Sequence, residues 1–368
     1  MENKKVLFIS AANSIHTVKW VNALSKKFEV HLVYCNNHKP NIDKINERVV
    51  LHELKYKAPL GYYLNFLQLR KIYKNIKPNI VNVHYASGYG TLSRIAKIKV
   101  NLLSVWGSDV YDFPNSSKIK RKILEKNIMY AENIASTSVI MAEKLKKQVE
   151  KLKKDVYITP FGVDIKKFKK TNSKEKNTFN IANIKSLKEV YGIEYGILAV
   201  KILKEQLIKE GEENLAKSIK FDIYGEGPKR EELEETIIKE NLQDTIFLRG
   251  AIPNEKVPEI LSNLDVFCVT SNTESFGVSL IEAMACEVPI VATNADGFCE
   301  VMEDGVTGYI VQTKNSEQIA LALKKIIKNR SKAKIMGING RKRVLEKYNW
   351  NKNVETMIQI YKEVEETF

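Results

Sequence analysis

The stretch DVFCVTSNTESFGVSLIEAMACEVPIVATNADGFCEVMEDGVTGYIV, residues 265–311, decides the fold. An apolar run (265–270) ends in a polar loop. Gly277 then opens a helical segment of small and apolar residues (277–286), and the apolar runs PIVAT (289–293) and GYIV (308–311) follow. Short apolar runs joined by helical segments are the pattern of parallel βαβ units, in which each strand is buried on both faces. Working back toward the amino terminus, the same alternation covers the second half. Strands are predicted at TFNIANI (178–184), FDIYG (221–225) and TIFLRG (245–250), with helices at 193–210, 229–240 and 255–263 between them.

The first half repeats the pattern. VLFIS (6–10), EVHLVY (29–34), NIVNVHY (79–85), NLLSVW (101–106), NIAST (133–137) and VYITP (156–160) read as strands, and Ile15–Lys27, a segment ending near Asn75, and 90–98 as helices. Residues 165–177 are lysine-rich and poor in core-forming residues, as a solvated connector would be. The expected architecture is α/β, with two doubly wound domains at 1–165 and 166–349. Ligands of such domains bind at the carboxyl ends of the strands, here in a cleft between the two sheets.

The chain has 368 residues, 44% of them hydrophobic and 28% charged, which excludes disordered and low-complexity classes. Its net charge of +15 is unevenly placed. Residues 1–170 carry 32 basic and 13 acidic side chains, the remainder 27 and 31. One half is therefore expected to meet a polyanion, either nucleic acid or an anionic membrane. Cys35, Cys268, Cys286 and Cys299 have no metal-binding or redox spacing, no apolar stretch is long enough to span a bilayer, and Met1–Lys5 leads straight into a strand. These features predict a cytoplasmic protein.

In the deciding stretch, Glu274 lies in the loop and Glu282 eight residues on, inside the helix. A helix that starts on glycine lets a ligand approach the backbone, and its free first-turn amides attract phosphate. Glu274, Phe276, Gly277, Val278, Ser279 and Glu282 together resemble the signature of the retaining GT-B glycosyltransferases of family 4, in which two glutamates are separated by seven residues. PFGVDIKKF (160–168), IYGEGPKREELE (223–234) and YNWNKNVETMIQIYKEV (348–364) extend the resemblance over nearly the whole chain.

The resemblance implies two Rossmann-like domains facing across a cleft, with the helix 350–368 packed back on the first. It implies that Glu274 meets donor-sugar hydroxyls, Glu282 the ribose, and the amides at 276–279 the diphosphate. Lys185 and Lys188 are both candidates for the cation opposite the departing diphosphate, because Tyr191 stands where many members have lysine. Arg249 to Ile252 is expected near the base. The GEG turn at 225–227 reads as structural.

For a loop that meets acceptor or phosphate, the resemblance points to Ser14 and His16 after the first strand and to the element VWGSDV, and His84, at the end of a strand, is a further candidate. In VWGSDV Trp106 replaces the family's histidine while Asp109 keeps its place, as an acceptor ligand or a helix cap. The chain has no Asp-x-Asp motif, so no metal and no other cofactor is expected. The predicted activity is transfer of a hexosyl or N-acetylhexosaminyl group, with retention, from a nucleotide sugar, especially a UDP-sugar. The predicted acceptor is a glycan or lipid-linked molecule of cell-surface polysaccharide synthesis.

The basic stretches 118–126 and 143–155, read as helices, would dock on an anionic membrane at its inner face. A nucleotide-sugar epimerase and a non-catalytic partner subunit are the alternatives on this fold. Nucleic acid is disfavoured as a partner, because no recognition module accompanies the charge.

Overall fold

The computed structural model describes residues 4–171 and 177–366, so part of the lysine-rich connector (172–176) lies outside the described residues. The chain divides into two compact units, Met1–Phe161 with Asn351–Phe368, and Gly162–Trp350.

The first unit holds a seven-stranded parallel sheet: β1 (Lys5–Ile9), β2 (Glu29–Cys35), β3 (Val49–Leu54), β4 (Ile80–His84), β5 (Leu102–Val105), β6 (Asn133–Ser136) and β7 (Val156–Ile158), in the order β3-β2-β1-β4-β5-β6-β7. β1 and β4 are buried nearly throughout, as central strands of such a sheet must be. Leu7, Ile9, Val33, Val81, Val83 and Leu103 on one face pack against Leu69, Leu92, Leu124 and Ile128 from the helices. β3 has no counterpart among the sequence-predicted strands. It is an edge strand whose Val50 is exposed and whose His52 and Glu53 break the apolar run.

The second unit holds six parallel strands: β8 (Phe179–Ile184), β9 (Ile219–Tyr224), β10 (Ile246–Gly250), β11 (Val266–Val269), β12 (Ile290–Thr293) and β13 (Gly308–Val311), in the order β10-β9-β8-β11-β12-β13. In each sheet the chain winds first to one side of its opening strand and then to the other. The crevice at that reversal is where ligands of this architecture bind: between β1 and β4 in the first unit, and between β8 and β11 in the second.

The basic stretch 143–155 is not one helix. The helix Val139–Gln148 stops at Val149, because Val149 and Leu152 turn inward and bury their side chains in the core. The stretch at 118 does lie in a helix, Lys118–Tyr130. From Asn351 onward the helix Trp350–Glu366 belongs to the first unit. There Asn82 donates to Tyr361 Oη at 2.8 Å, Tyr361 packs edge-on against Phe28, and Lys4 pairs with Glu365 at 2.6 Å.

Candidate functional site

In the second unit the reversal point brings together the loops after β8 and β11. Lys185, the first residue beyond β8, forms an ion pair with Glu274, and both side chains are largely buried, at 14% and 16% exposure. The ammonium group also lies 5.1 Å from the centre of the Tyr191 ring and 5.7 Å from that of Phe298, a setting that favours a cation. Lys188, three residues on, is exposed. Of the two lysine candidates, Lys185 is the one brought to Glu274.

The loop geometry depends on three close approaches. A Cβ on Gly225 would sit 1.9 Å from the Lys185 carbonyl oxygen, and one on Gly227 would sit 2.4 Å from that of Leu187. The GEG turn therefore shapes the Lys185 loop from below. Gly297, after β12, donates its N–H to the Glu274 carbonyl at 2.9 Å and presses against Phe276, whose nitrogen would lie 2.3 Å from any Cβ there. Sequence reasoning passed over Gly297; a glycine just past a strand end was the available signal.

Gly277 has φ +101° and caps the helix Val278–Ala285 without any side chain, leaving the first-turn amides uncapped. Phe276 is buried edge-on against Tyr348, while Val278, Ser279 and Glu282 are half-buried along the start of the helix. Ser271 Oγ and Ser279 Oγ are buried and have no hydrogen-bond partner among the described residues. Buried polar atoms in that condition are uncommon and mark places where a ligand can supply the missing bond. Ser271 was not among the expected site residues.

Arg249 is not drawn to this pair. Its Nε donates to Asp222 at 2.7 Å and its guanidinium lies over the Phe247 ring at 4.5 Å, while Ile252 is half-buried in the loop after β10. Lys229, the first residue of the predicted helix 229–240, precedes the observed helix Arg230–Lys239 and holds Glu189 at 2.7 Å and Glu232 at 2.5 Å. Those carboxylates hold its pKa above the usual lysine value.

In the first unit the expected residues converge on an aromatic cluster at the carboxyl edge of the sheet. Trp106 lies 4.1 Å from His84, 5.9 Å from His16 and 5.6 Å from Phe161, and His16 stacks on Phe161 at 4.0 Å. His84 is fully buried against Phe8 and Trp106, with both ring nitrogens unpartnered among the described residues. Burial, with His16 as a lesser cause, drives its pKa far down, so the ring is neutral. Burial likewise lowers His16 to about 4, with a smaller contribution from Lys19. Ser14 precedes the helix Ile15–Leu24 but makes no side-chain cap.

Asp109 requires a correction. Its carboxylate accepts from the amides of Ala86 at 2.9 Å, Trp106 at 3.1 Å and Gly107 at 2.9 Å, and the residue is only 1% exposed. It ties the loops after β4 and β5 together and has no free face for an acceptor hydroxyl. Nor is it the helix cap, a position held by Gly107. Among the described residues no group of three or more His, Cys, Asp or Glu is placed to hold a metal ion, and no helix is long and apolar enough to cross a membrane.

Comparison with known proteins places this geometry in a class. The model of the glycosyl transferases group 1 family matches residues 164–343, and that of the glycosyl transferase 4-like family matches residues 5–138. The chain belongs to the group 1 (family 4) glycosyltransferases and has their GT-B fold. It is similar to an uncharacterised glycosyltransferase of Methanocaldococcus jannaschii, 24% identical over 95% of this chain and 94% of that protein. In fold it resembles the sucrose-phosphate synthase of Thermosynechococcus elongatus, with a TM-score of 0.84 at 17% identity, over 99% of this chain and 100% of that one. It also resembles the Anabaena protein HepE solved in complex with UDP, with a TM-score of 0.79 at 14% identity, again over 99% and 100% of the two chains.

Proposed function

We propose that this glycosyltransferase moves a hexosyl or N-acetylhexosaminyl group, with retention and without a metal, from a UDP-sugar to a glycan or lipid-linked acceptor of cell-surface polysaccharide synthesis. The observation that carries the reading is the buried Lys185–Glu274 pair at the reversal point of the second sheet, beside the uncapped helix start at Gly277. A diphosphate seated there accepts from the amides at 277–279 and takes Lys185 as its counter-charge. Glu274 is thereby freed to accept hydroxyls of the sugar, and Glu282 meets the ribose.

Charge grows on the diphosphate as the glycosidic bond to it breaks, and a cation fixed in a water-poor loop stabilises that charge better than solvent does. The acceptor oxygen bonds to the anomeric carbon on the face the diphosphate leaves, and its proton passes to a phosphate oxygen of the donor. His16, half-buried and neutral, is backed by the buried rings of His84 and Trp106 and is the member of this cluster that can meet the body of an acceptor. The likeness to a fold solved with UDP supports the choice of base, and the basic first half supports an acceptor held at the inner face of an anionic membrane.

The test is a thermal-shift series with UDP, GDP, ADP and their sugars. UDP and a UDP-sugar raise the unfolding midpoint, by an amount corresponding to about 2.7 kcal/mol at a hundredfold excess over Kd. A shift with GDP or ADP alone would overturn the donor assignment.

A further inference from the structure

Residues 54–108 contain nine lysines and arginines and no aspartate or glutamate, and the same segment carries the most exposed apolar cluster of the first unit. After β3 the chain forms the turn and helices Gly61–Leu64 and Phe66–Ile76. One side of this segment is anchored. Tyr62 packs on Tyr89 at 5.1 Å and against Gly88, where a Cβ would lie 2.4 Å from its ring. Asn65 Nδ2 donates to the Tyr56 carbonyl at 2.9 Å, and Leu69 is in the core.

The opposite side is left in solvent: Leu60 is 69% exposed, Tyr63 47%, Leu64 50% and Leu67 63%. Leu60, Leu64 and Leu67 follow helical spacing, and the same stripe continues into exposed Lys71 and Lys74. Lys55 and Lys57 flank the turn, and neither they nor Lys71 and Lys74 has an acidic partner among the described residues. The helix Lys118–Tyr130 packs on the same sheet face and begins at the same carboxyl edge, with Ile119 72% exposed among Lys118, Lys120, Arg121 and Lys122.

We infer that this rim inserts Leu60, Tyr63, Leu64, Leu67 and Ile119 into the interface of an anionic phospholipid bilayer, with the surrounding lysines on the headgroups. Apolar side chains ringed by unpaired cations match the chemistry of such a surface. A second copy of the chain would set lysine against lysine. The inference deepens the lipid-linked acceptor reading: the inserted rim lies at the carboxyl edge of the first sheet, the edge that carries His16, His84 and Trp106, so docking brings that cluster to the headgroup layer.

The test is co-sedimentation of the full chain with vesicles of phosphatidylcholine alone or mixed with phosphatidylglycerol. The triple variant Leu60→Ser, Leu64→Ser, Leu67→Ser is compared, with circular dichroism and light scattering as controls. The wild type should bind the mixed vesicles, and the variant should bind them at least about tenfold more weakly while staying folded and keeping its response to UDP. Equal binding by both proteins would mean that headgroup charge alone is recognised and would overturn insertion. Absence of binding by the wild type, or a wild-type dimer that the variant loses, would overturn membrane docking in favour of a soluble or self-associating surface. A protein that binds vesicles but shows no response to UDP would leave insertion standing and remove the donor reading.

Discussion

Lys185 and Glu274 illustrate how much of this protein rests on single side chains. Each neutralises the other in a largely buried loop, which holds the Lys185 ammonium group in a fixed place. Lys185→Ala is expected to lower kcat by about 10²–10³-fold, whereas Lys188→Ala, an exposed position, should stay within about twofold; comparable losses in steady-state assays would show that the cation is wrongly assigned. Glu274 was legible through the resemblance of the whole segment around it to the family signature, since the spacing to Glu282 alone is weak evidence. Which lysine faces Glu274 was not legible, because three residues within a loop carry no periodicity; Gly225 lies against the Lys185 carbonyl, where any Cβ would clash. His16 gives a pH prediction. Its folded pKa of about 4 lies below the 6.5 of an unfolded histidine, so between those values only the unfolded chain takes the proton, and stability present above pH 6.5 is lost as pH falls through the window. The unfolding midpoint should fall between pH 7 and 5, and His16→Phe, which keeps the stack on Phe161, should flatten that slope; equal slopes would contradict a neutral buried ring.

At the scale of elements, the candidate site rests on loops held by buried groups such as Asp109 and Gly297. Asp109→Ala leaves three buried amides unsatisfied and is expected to cost about 2–4 kcal/mol of stability, read as a lower denaturant midpoint together with lower activity. A purely catalytic aspartate would lose activity and leave the midpoint in place. Gly297→Ala forces a Cβ against the Phe276 nitrogen and should displace the Glu274 loop, lowering kcat while UDP-independent stability falls by about 1–3 kcal/mol; wild-type kinetics in this variant would mean that the loop tolerates the shift. The central strands were readable because both of their faces are buried. β3 was not, because an edge strand carries polar residues that break the run. The end of the helix at Gln148 was hidden because its lysines continue in sequence after the backbone has turned to bury Val149 and Leu152.

For the molecule as a whole, the unequal charge of the two halves was plain in the sequence, but charge alone does not distinguish nucleic acid from lipid. Exposed leucines set among unpaired lysines favour lipid, a feature of side-chain placement that composition does not carry. Two units of one architecture divide the work in this account: a near-neutral second unit that holds the donor, and a basic first unit that meets the acceptor. The central claim is that a nucleotide sugar reacts at the Glu274 loop. It is tested most directly by release of nucleoside diphosphate from UDP-sugars in the presence of acceptor, comparing wild type with Glu274→Ala. The account predicts turnover by the wild type and a loss of at least about a hundredfold in kcat for the variant with its fold intact, and undiminished turnover in the variant would contradict it.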